Sequence, residues 1–266
     1  MTDKFQPPQT DLPDLADYEE LADIDWDNVR SLAEEQGWEW DEEQGGYVDD
    51  DGDLVPLPDV LELTYNELAE LQSQVSVAVD ELEESEDVTE WERKIAEIAA
   101  AAAVLFFLLG IGNRDNITVD HEEHVRIRLV LQFEFLREFS LGVLAGNMTI
   151  DGIRARANLY PQDDQLLYSE AQEFLHPAED WPFYANRLGG CNHCRECPEE
   201  TAKGIVERGE LIPIGSRLCR WNCCCMFEYF KTRNGDTNDI PRRLTGQTFG
   251  WAGADKLTLP VTLPLS

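Results

Sequence analysis

From Asp59 to Glu86 the residues Leu61, Leu68, Leu71, Val75, Val79 and Leu82 recur at helical steps, with Glu and Asp filling the opposite face. That spacing predicts one long amphipathic helix. Thr89 and Glu92 stand at capping-box spacing and open the next helix, which runs through "IAAAAAVLFFLLGIG" to Gly110 or Gly112. This apolar run has 15 residues (98–112) and follows the charged "EWERKIAE". A membrane-spanning helix needs about 20, so the run is expected to be a buried helix of a soluble core. A further helix begins near Asp120 and continues to Gly146. Val125, Leu129, Phe133 and Leu136 form its stripe, and Phe135 and Phe139 make it apolar on a second side, which predicts a central position. "MTIDGIRARANLY" opens a short helix that Pro161 breaks or restarts, ending near His176.

Ahead of these helices the pattern is different. Pro7, Pro8 and Pro13 mark an extended arm over residues 1–13, and a helix is expected from about Leu15 to Gln36, ended by Gly37. Alternating Trp38 and Trp40, then Tyr47-Val48 and Leu54-Val55 with Asp51-Gly52 at a turn, predict a small hairpin or meander. "DDDGD" invites a calcium loop but fails on spacing. With Gly52 at loop position 6, Tyr47 and Pro58 occupy positions that need carboxylates.

The fold class is therefore mainly α: a helical body, an acidic N-terminal region with a small β-hairpin, and a small zinc-knuckle-like C-terminal module. The boundaries fall at 1–58 for the acidic arm, 59–180 for the helical core, 181–232 for the cysteine-rich module and 233–266 for a C-terminal extension.

Charge sharpens this division. The chain of 266 residues carries −33, and residues 1–92 hold 31 Asp and Glu against Lys4 and Arg30 only. Such a field repels nucleic-acid phosphates and excludes that third as a DNA or RNA surface. It reads as a solvated arm or as a docking segment for a basic partner. Because Trp26, Trp38, Trp40 and Tyr47 give it apolar surface, residues 15–86 are expected to order against another protein. The first residues show no secretory signal, since no apolar core follows a basic start.

All seven cysteines lie between Cys191 and Cys225. An odd number with three adjacent, Cys223 to Cys225, makes a poor disulfide framework. A Cys-x2-Cys turn at Cys194 and Cys197 presents two thiolates to one ion, and Cys219, Cys223 and Cys225 offer the other half after a 21-residue excursion. In an extended segment Cys223 and Cys225 share a face, which leaves Cys224 the least suited to ligate. The expected cofactor is one structural zinc held by four of these thiolates, with no open position for catalysis. An iron–sulfur run starting at Cys191 is the rival, but its fourth cysteine would fall at Thr201. Unmetallated thiols are the third reading.

Nothing in the sequence singles out a catalytic set. "HEEHV" at 121–125 is off by one from the zinc-protease helix motif, because Val125 stands where a histidine is required. His121 and His124 read as a solvated pair.

Taken together, "EWERKIAEIAAAAAVLFFLLGIG", "HVRIRLVLQFEFLREFSLGVLAGNMTIDGIRARANLY" and "HCRECPEETAKG" followed by "IPIGSRLCRWNCCCMFEYF" resemble the minor head (minor capsid) proteins of tailed bacteriophages and prophages. The shared positions are Trp91, Leu136 with Phe139, Arg156 to Tyr160, His193 to Cys197, Pro213 to Gly215, and Cys219 to Cys225, within about residues 45–230. Cys191 and Cys224 are extra to that pattern, and the first 40 residues and 231–266 are particular to this chain. The resemblance implies a non-enzymatic virion component near the portal or inner capsid wall, present in several copies. Its partners would be the major capsid or portal protein, with no membrane and no sequence-specific nucleic acid. Its location would be the virion, and the host cytoplasm during assembly. The alternatives are a metal-dependent hydrolase using His121, His124 and carboxylates, or a zinc-stapled adaptor of host origin.

Overall fold

A computed structural model describes residues 4–9, 12, 18–189, 193–219 and 225–235. The chain is mainly helical. Helices α1 (Glu19–Ala22) and α2 (Leu32–Glu35) precede a hairpin of β1 (Glu39–Asp41) and β2 (Gly46–Val48). The long helices α3 (Leu57–Ser85), α4 (Val88–Ile111) and α5 (Val119–Leu144) follow, then α6 (Ile150–Ala157) and α7 (Leu159–Leu175). A three-stranded antiparallel sheet closes the described chain, with β3 (Phe183–Arg187) between β4 (Val206–Glu207) and β5 (Met226–Phe230), and with α8 (Glu196–Ala202) in the excursion.

The centre of the fold is α4, not α5. Its residues from Ala102 to Ile111 are all buried, and it packs on α3, α5 and α7. Val88–Ile111 is long and apolar enough to cross a membrane by length and composition, and the fold covers most of that length with other helices. The closest approach is to α7, where a Cβ on Gly110 would lie 2.5 Å from the Tyr168 carbonyl oxygen and 2.7 Å from the Ala171 methyl. Ala96, Ala99, Ala102 and Ala103 are buried along the same helix. Small side chains are what let helix axes draw together and bury the large neighbours Phe106 and Phe107.

α5 buries Val125, Leu129, Phe133, Leu136 and Phe139 against this centre, but Phe135 on its other side is exposed. Of the two residues that suggested a second apolar side, Phe139 thus joins the buried stripe and Phe135 lies on an outer face. α4 begins two residues earlier than the capping-box spacing implies: Asp87 is the N-cap and accepts from the Glu90 amide at 3.1 Å. Thr89 lies inside the first turn, and Glu92 is buried, receiving Arg137 Nε at 2.7 Å. Asp is a stronger N-cap than Thr, and a helix that starts at Val88 takes this buried residue into its first turn. Pro161 sits in the first turn of α7, where no intrahelical donor is required.

The helix expected from Leu15 to Gln36 is, in its described part, α1, a 3-10 turn at Trp26–Asn28 and α2. Asn28 Nδ2 donates to Asp25 at 2.7 Å, and Ser31 accepts from the Glu34 amide, so short polar side chains compete with the helical ladder. The broken path lets Tyr18, Ala22, Trp26, Leu32 and Ala33 each reach the same core as α4. Arg114 fixes it from beyond α4, donating to the carbonyls of Trp26 and Val29 and pairing with Glu34. The hairpin forms as expected, with a Val48–Leu54 bridge closing the Asp49–Asp53 turn. Tyr47 Oη donates to the carbonyls of Leu109 (2.7 Å) and Gly112 (3.0 Å), satisfying the end of α4. Of the aromatic residues that suggested docking of residues 15–86 on another protein, Trp26 and Tyr47 are buried in the chain's own core, and Trp38 and Trp40 pack half-buried against it.

One polar residue is costly in this interior. Asp164 of α7 is buried, with Gln132 Nε2 donating to its Oδ1 at 2.6 Å. Burial pushes its carboxyl well above the usual range, Asp163 and Glu170 adding to the effect while Gln132 and Arg128 oppose it. A raised folded-state value means stability is fully present below the ordinary Asp range and falls as pH rises toward that value. Asp164→Asn keeps the acceptor and removes the ionisation. It should match wild type in Tm near pH 4 and exceed it by about 2 °C or more at pH 8, read by circular dichroism melts. Equal melting temperatures at both pH values would contradict the assignment.

Candidate metal centre

The cysteine-rich segment is built on the small sheet. Trp181, Tyr184, Val206, Leu211, Phe227 and Tyr229 make its own apolar cluster, and Met226 reaches the helical core. His176, just past α7, stacks on Tyr229 at 4.5 Å and meets the Trp181 ring edge-on at 4.7 Å. Its Nδ1 lies 2.7 Å from the Gln172 carbonyl oxygen and its Nε2 3.3 Å from that of Gly45. Burial holds this imidazole below its ordinary pKa. One residue thus joins α7, the N-terminal hairpin and the sheet.

Two carboxylates fold the excursion back onto α8. Glu196 Oε2 accepts from the Leu218 amide at 2.7 Å, and Glu200 Oε2 accepts from the Ile212 amide at 2.9 Å. Asn186 of β3 donates to the Thr201 hydroxyl at 2.7 Å, and that hydroxyl donates to the Cys197 carbonyl at 3.0 Å. Arg217 is buried, donating from Nη1 to Asn186 Oδ1 at 2.8 Å and from Nε to the Ile212 carbonyl at 3.0 Å. Thr201, which stands where an iron–sulfur run would need a cysteine, instead serves this frame.

The frame brings the sulfurs together. Cys194 Sγ and Cys219 Sγ each lie 3.5 Å from Cys197 Sγ. Four sulfurs around zinc at about 2.3 Å are about 3.8 Å apart, so the separation suits one tetrahedral ion. Cys225, immediately before β5, has its sulfur 3.8 Å from His193 Nδ1. Cys197 is common to both donor groups, Cys194–Cys197–Cys219 and His193–Cys197–Cys225. Cys197 and Cys225 are buried, and the four described cysteines are free thiols. Burial raises the Cys194 thiol, but hydrogen bonds from the Cys197 amide and from the Cys219 and Cys197 thiols outweigh it and leave the group below its ordinary value. These Cys and His side chains are positioned to bind a metal ion. Soft sulfur and imidazole donors select zinc, copper(I) or iron over magnesium or calcium.

Of the expected ligands, Cys194, Cys197 and Cys219 converge, and Cys225 lies beside Cys197 in the second group with His193. Cys223 lies outside the described residues, as do Cys191 and Cys224. The spacing of cysteines alone missed His193. Its signal was its place directly before Cys194, and the structure shows why it qualifies: its Nε2 lies 2.9 Å from the Gly189 carbonyl oxygen. Donation there places the proton on Nε2 and leaves Nδ1 with a lone pair facing the cluster.

His121 and His124 lie elsewhere, on the first turns of α5. His121 completes the capping box with Thr118, and His124 Nε2 is 2.7 Å from a Glu170 oxygen. Both rings pack on Phe174, at 4.6 and 5.3 Å, so the pair is half-buried and partnered, not solvated.

No family model matches the chain, and neither a curated protein nor a solved structure matches it.

Because Cys197 belongs to both donor groups, Cys197→Ser should abolish stoichiometric metal binding. Cys194→Ser should weaken it at least tenfold while leaving some binding. Elemental analysis and chelator competition on the purified variants give the comparison. Equal retention of metal by Cys197→Ser and wild type would rule out the shared-ligand geometry.

Proposed function

We propose that this chain is a non-enzymatic structural or assembly component of a tailed-phage head, a minor capsid protein near the portal or inner capsid wall. The observation that carries the reading is the ordered run His193 to Cys197, Pro213 to Gly215 and Cys219 to Cys225 behind a helical body that carries Trp91, Leu136, Phe139 and Arg156 to Tyr160. Within that run the convergence of Cys194, Cys197 and Cys219 supports treating it as one unit and not as scattered thiols.

Zinc is the ion that fits this role. It has no redox chemistry, takes four sulfur or nitrogen ligands tetrahedrally, and adds folding free energy to a small module. Cys194, Cys197 and Cys219 would hold three corners of such an ion, and the neighbouring His193 and Cys225, which share Cys197 with that group, are the described candidates for the fourth. Four protein ligands would leave no place for a reacting water. The sheet cluster has few large apolar residues of its own. A staple between α8 and the start of β5 would make such a small unit rigid enough to serve as an assembly contact. The partners would be the major capsid or portal protein, met in the host cytoplasm and retained in the virion. The hydrolase alternative loses weight because His121 and His124 are engaged by the Thr118 cap and by Glu170.

Peptide mass spectrometry of purified phage particles from a host expressing the chain with its phage's head proteins is the direct test. The chain should co-purify with DNA-filled heads, with about one zinc per copy. Full expression without incorporation into heads or head precursors would overturn the assignment.

A further inference from the structure

We infer that the outer face of α5 is a docking surface for a basic amphipathic helix of another protein. Ile127, Leu131 and Phe135 follow one another at four-residue steps, and Leu141 continues the same side. Their exposures are 48%, 45%, 60% and 54%. At about 100° per residue the four fall within about 120° of the helix circumference. Single exposed apolar residues are ordinary on a protein surface, but four aligned on one side of a helix over four turns mark an interaction face.

The charges on that face choose the partner. Glu134 and Glu138 are exposed inside the stripe. Among the described residues the nearby bases are engaged elsewhere: Arg126 pairs with Glu123 at 2.7 Å, Arg137 turns inward to the buried Glu92 at 2.7 Å, Arg128 faces Asp163 and Glu170, and Arg156 lies over the Phe139 ring at 4.5 Å. The face therefore presents apolar side chains interleaved with two carboxylates that have no ion pair among the described residues, on a chain of net charge −33. A second copy is the wrong occupant. The stripe is centred near Glu134, so parallel pairing sets Glu134 beside its equivalent, and antiparallel pairing sets Glu134 and Glu138 across from the same pair. Like charges at such a helix seam oppose association. A helix with apolar residues at the same steps and Lys or Arg between them satisfies both features. This inference does not depend on the virion reading.

The test uses the full-length protein and three labelled synthetic helices of about five turns: Leu/Lys amphipathic, Leu/Glu amphipathic, and a Lys/Ser control of equal positive charge. Fluorescence anisotropy should show the Leu/Lys helix binding at least tenfold more tightly than either of the others. The double variant Leu131→Ser with Phe135→Ser should weaken it at least tenfold, and Glu134→Lys with Glu138→Lys should turn the preference toward the Leu/Glu helix. Hydrogen exchange on the wild-type protein should show new protection at residues 127–141 with the Leu/Lys helix bound, a readout that does not depend on the variants folding. Three outcomes would overturn the proposal: a Lys/Ser helix that binds equally well, protection confined to other segments, or a wild-type dimer in sedimentation velocity that Phe135→Ser dissolves.

Discussion

Everything in this fold is arranged around covering one helix. α4 carries Ala, Val, Leu and Phe on all sides over its last three turns, so no single neighbour can bury it. The solution is three helical neighbours, with the tightest contact where Gly110 meets α7. A methyl group at that position would overlap the Tyr168 carbonyl oxygen, and Gln172 Nε2 reaches the Gly110 carbonyl at 2.7 Å across the same gap. Close approach and hydrogen bonding thus reinforce each other at the end of the helix, where carbonyls have no intrahelical partner. The Tyr47 hydroxyl satisfies two more, which ties the acidic N-terminal hairpin to the same point.

That junction also explains how a strongly acidic segment stays folded. Its aromatic and aliphatic side chains enter the core, while its carboxylates stay at the surface. Arg30 bonds Glu35 and Glu67, and Arg114 holds Glu34. The exposed pairs Arg30–Glu35 and Arg114–Glu34 contribute little individually, and Glu67 is the buried partner of Arg30. The buried apolar residues Tyr18, Trp26, Leu32 and Tyr47 supply the driving force, at about 1.5–3 kcal/mol for a fully buried large side chain. Glu92 with Arg137 is a different case. Burial raises the Glu92 carboxyl even though Arg137 pulls it down, so the pair fixes how α4 and α5 meet more than it stabilises them. The cysteine module is joined to this body through His176 and Met226, and within it the polar frame of Asn186, Thr201, Glu200 and Arg217 holds the thiols in place.

Periodicity made the long helices legible in the sequence. The Leu/Val steps of α3 and the restart at Pro161 appear in the structure nearly as spaced, because long amphipathic patterns leave one face to bury. The N-terminal turns were not legible, since Asp25, Asn28 and Ser31 form local hydrogen bonds that no apolar period registers. Nor was the rank of α4 over α5, because Phe135 and Phe139 look alike in sequence and only packing places one outside and one within. At the candidate site, cysteine spacing pointed to Cys194 and Cys197 with two of Cys219, Cys223 and Cys225, of which Cys223 lies outside the described residues. His193 emerged only with the Gly189 carbonyl that orients its ring.

The central claim is that the body is organised by the burial of α4, with the other elements laid over it. Native-state hydrogen exchange on the full-length protein, resolved by segment, tests it most directly. The account predicts that amides from Ile95 to Leu109 exchange last, with an opening free energy equal to that of global unfolding measured with denaturant. Amides of α4 that open by a smaller, local route, ahead of those in α3, α5 or α7, would contradict it.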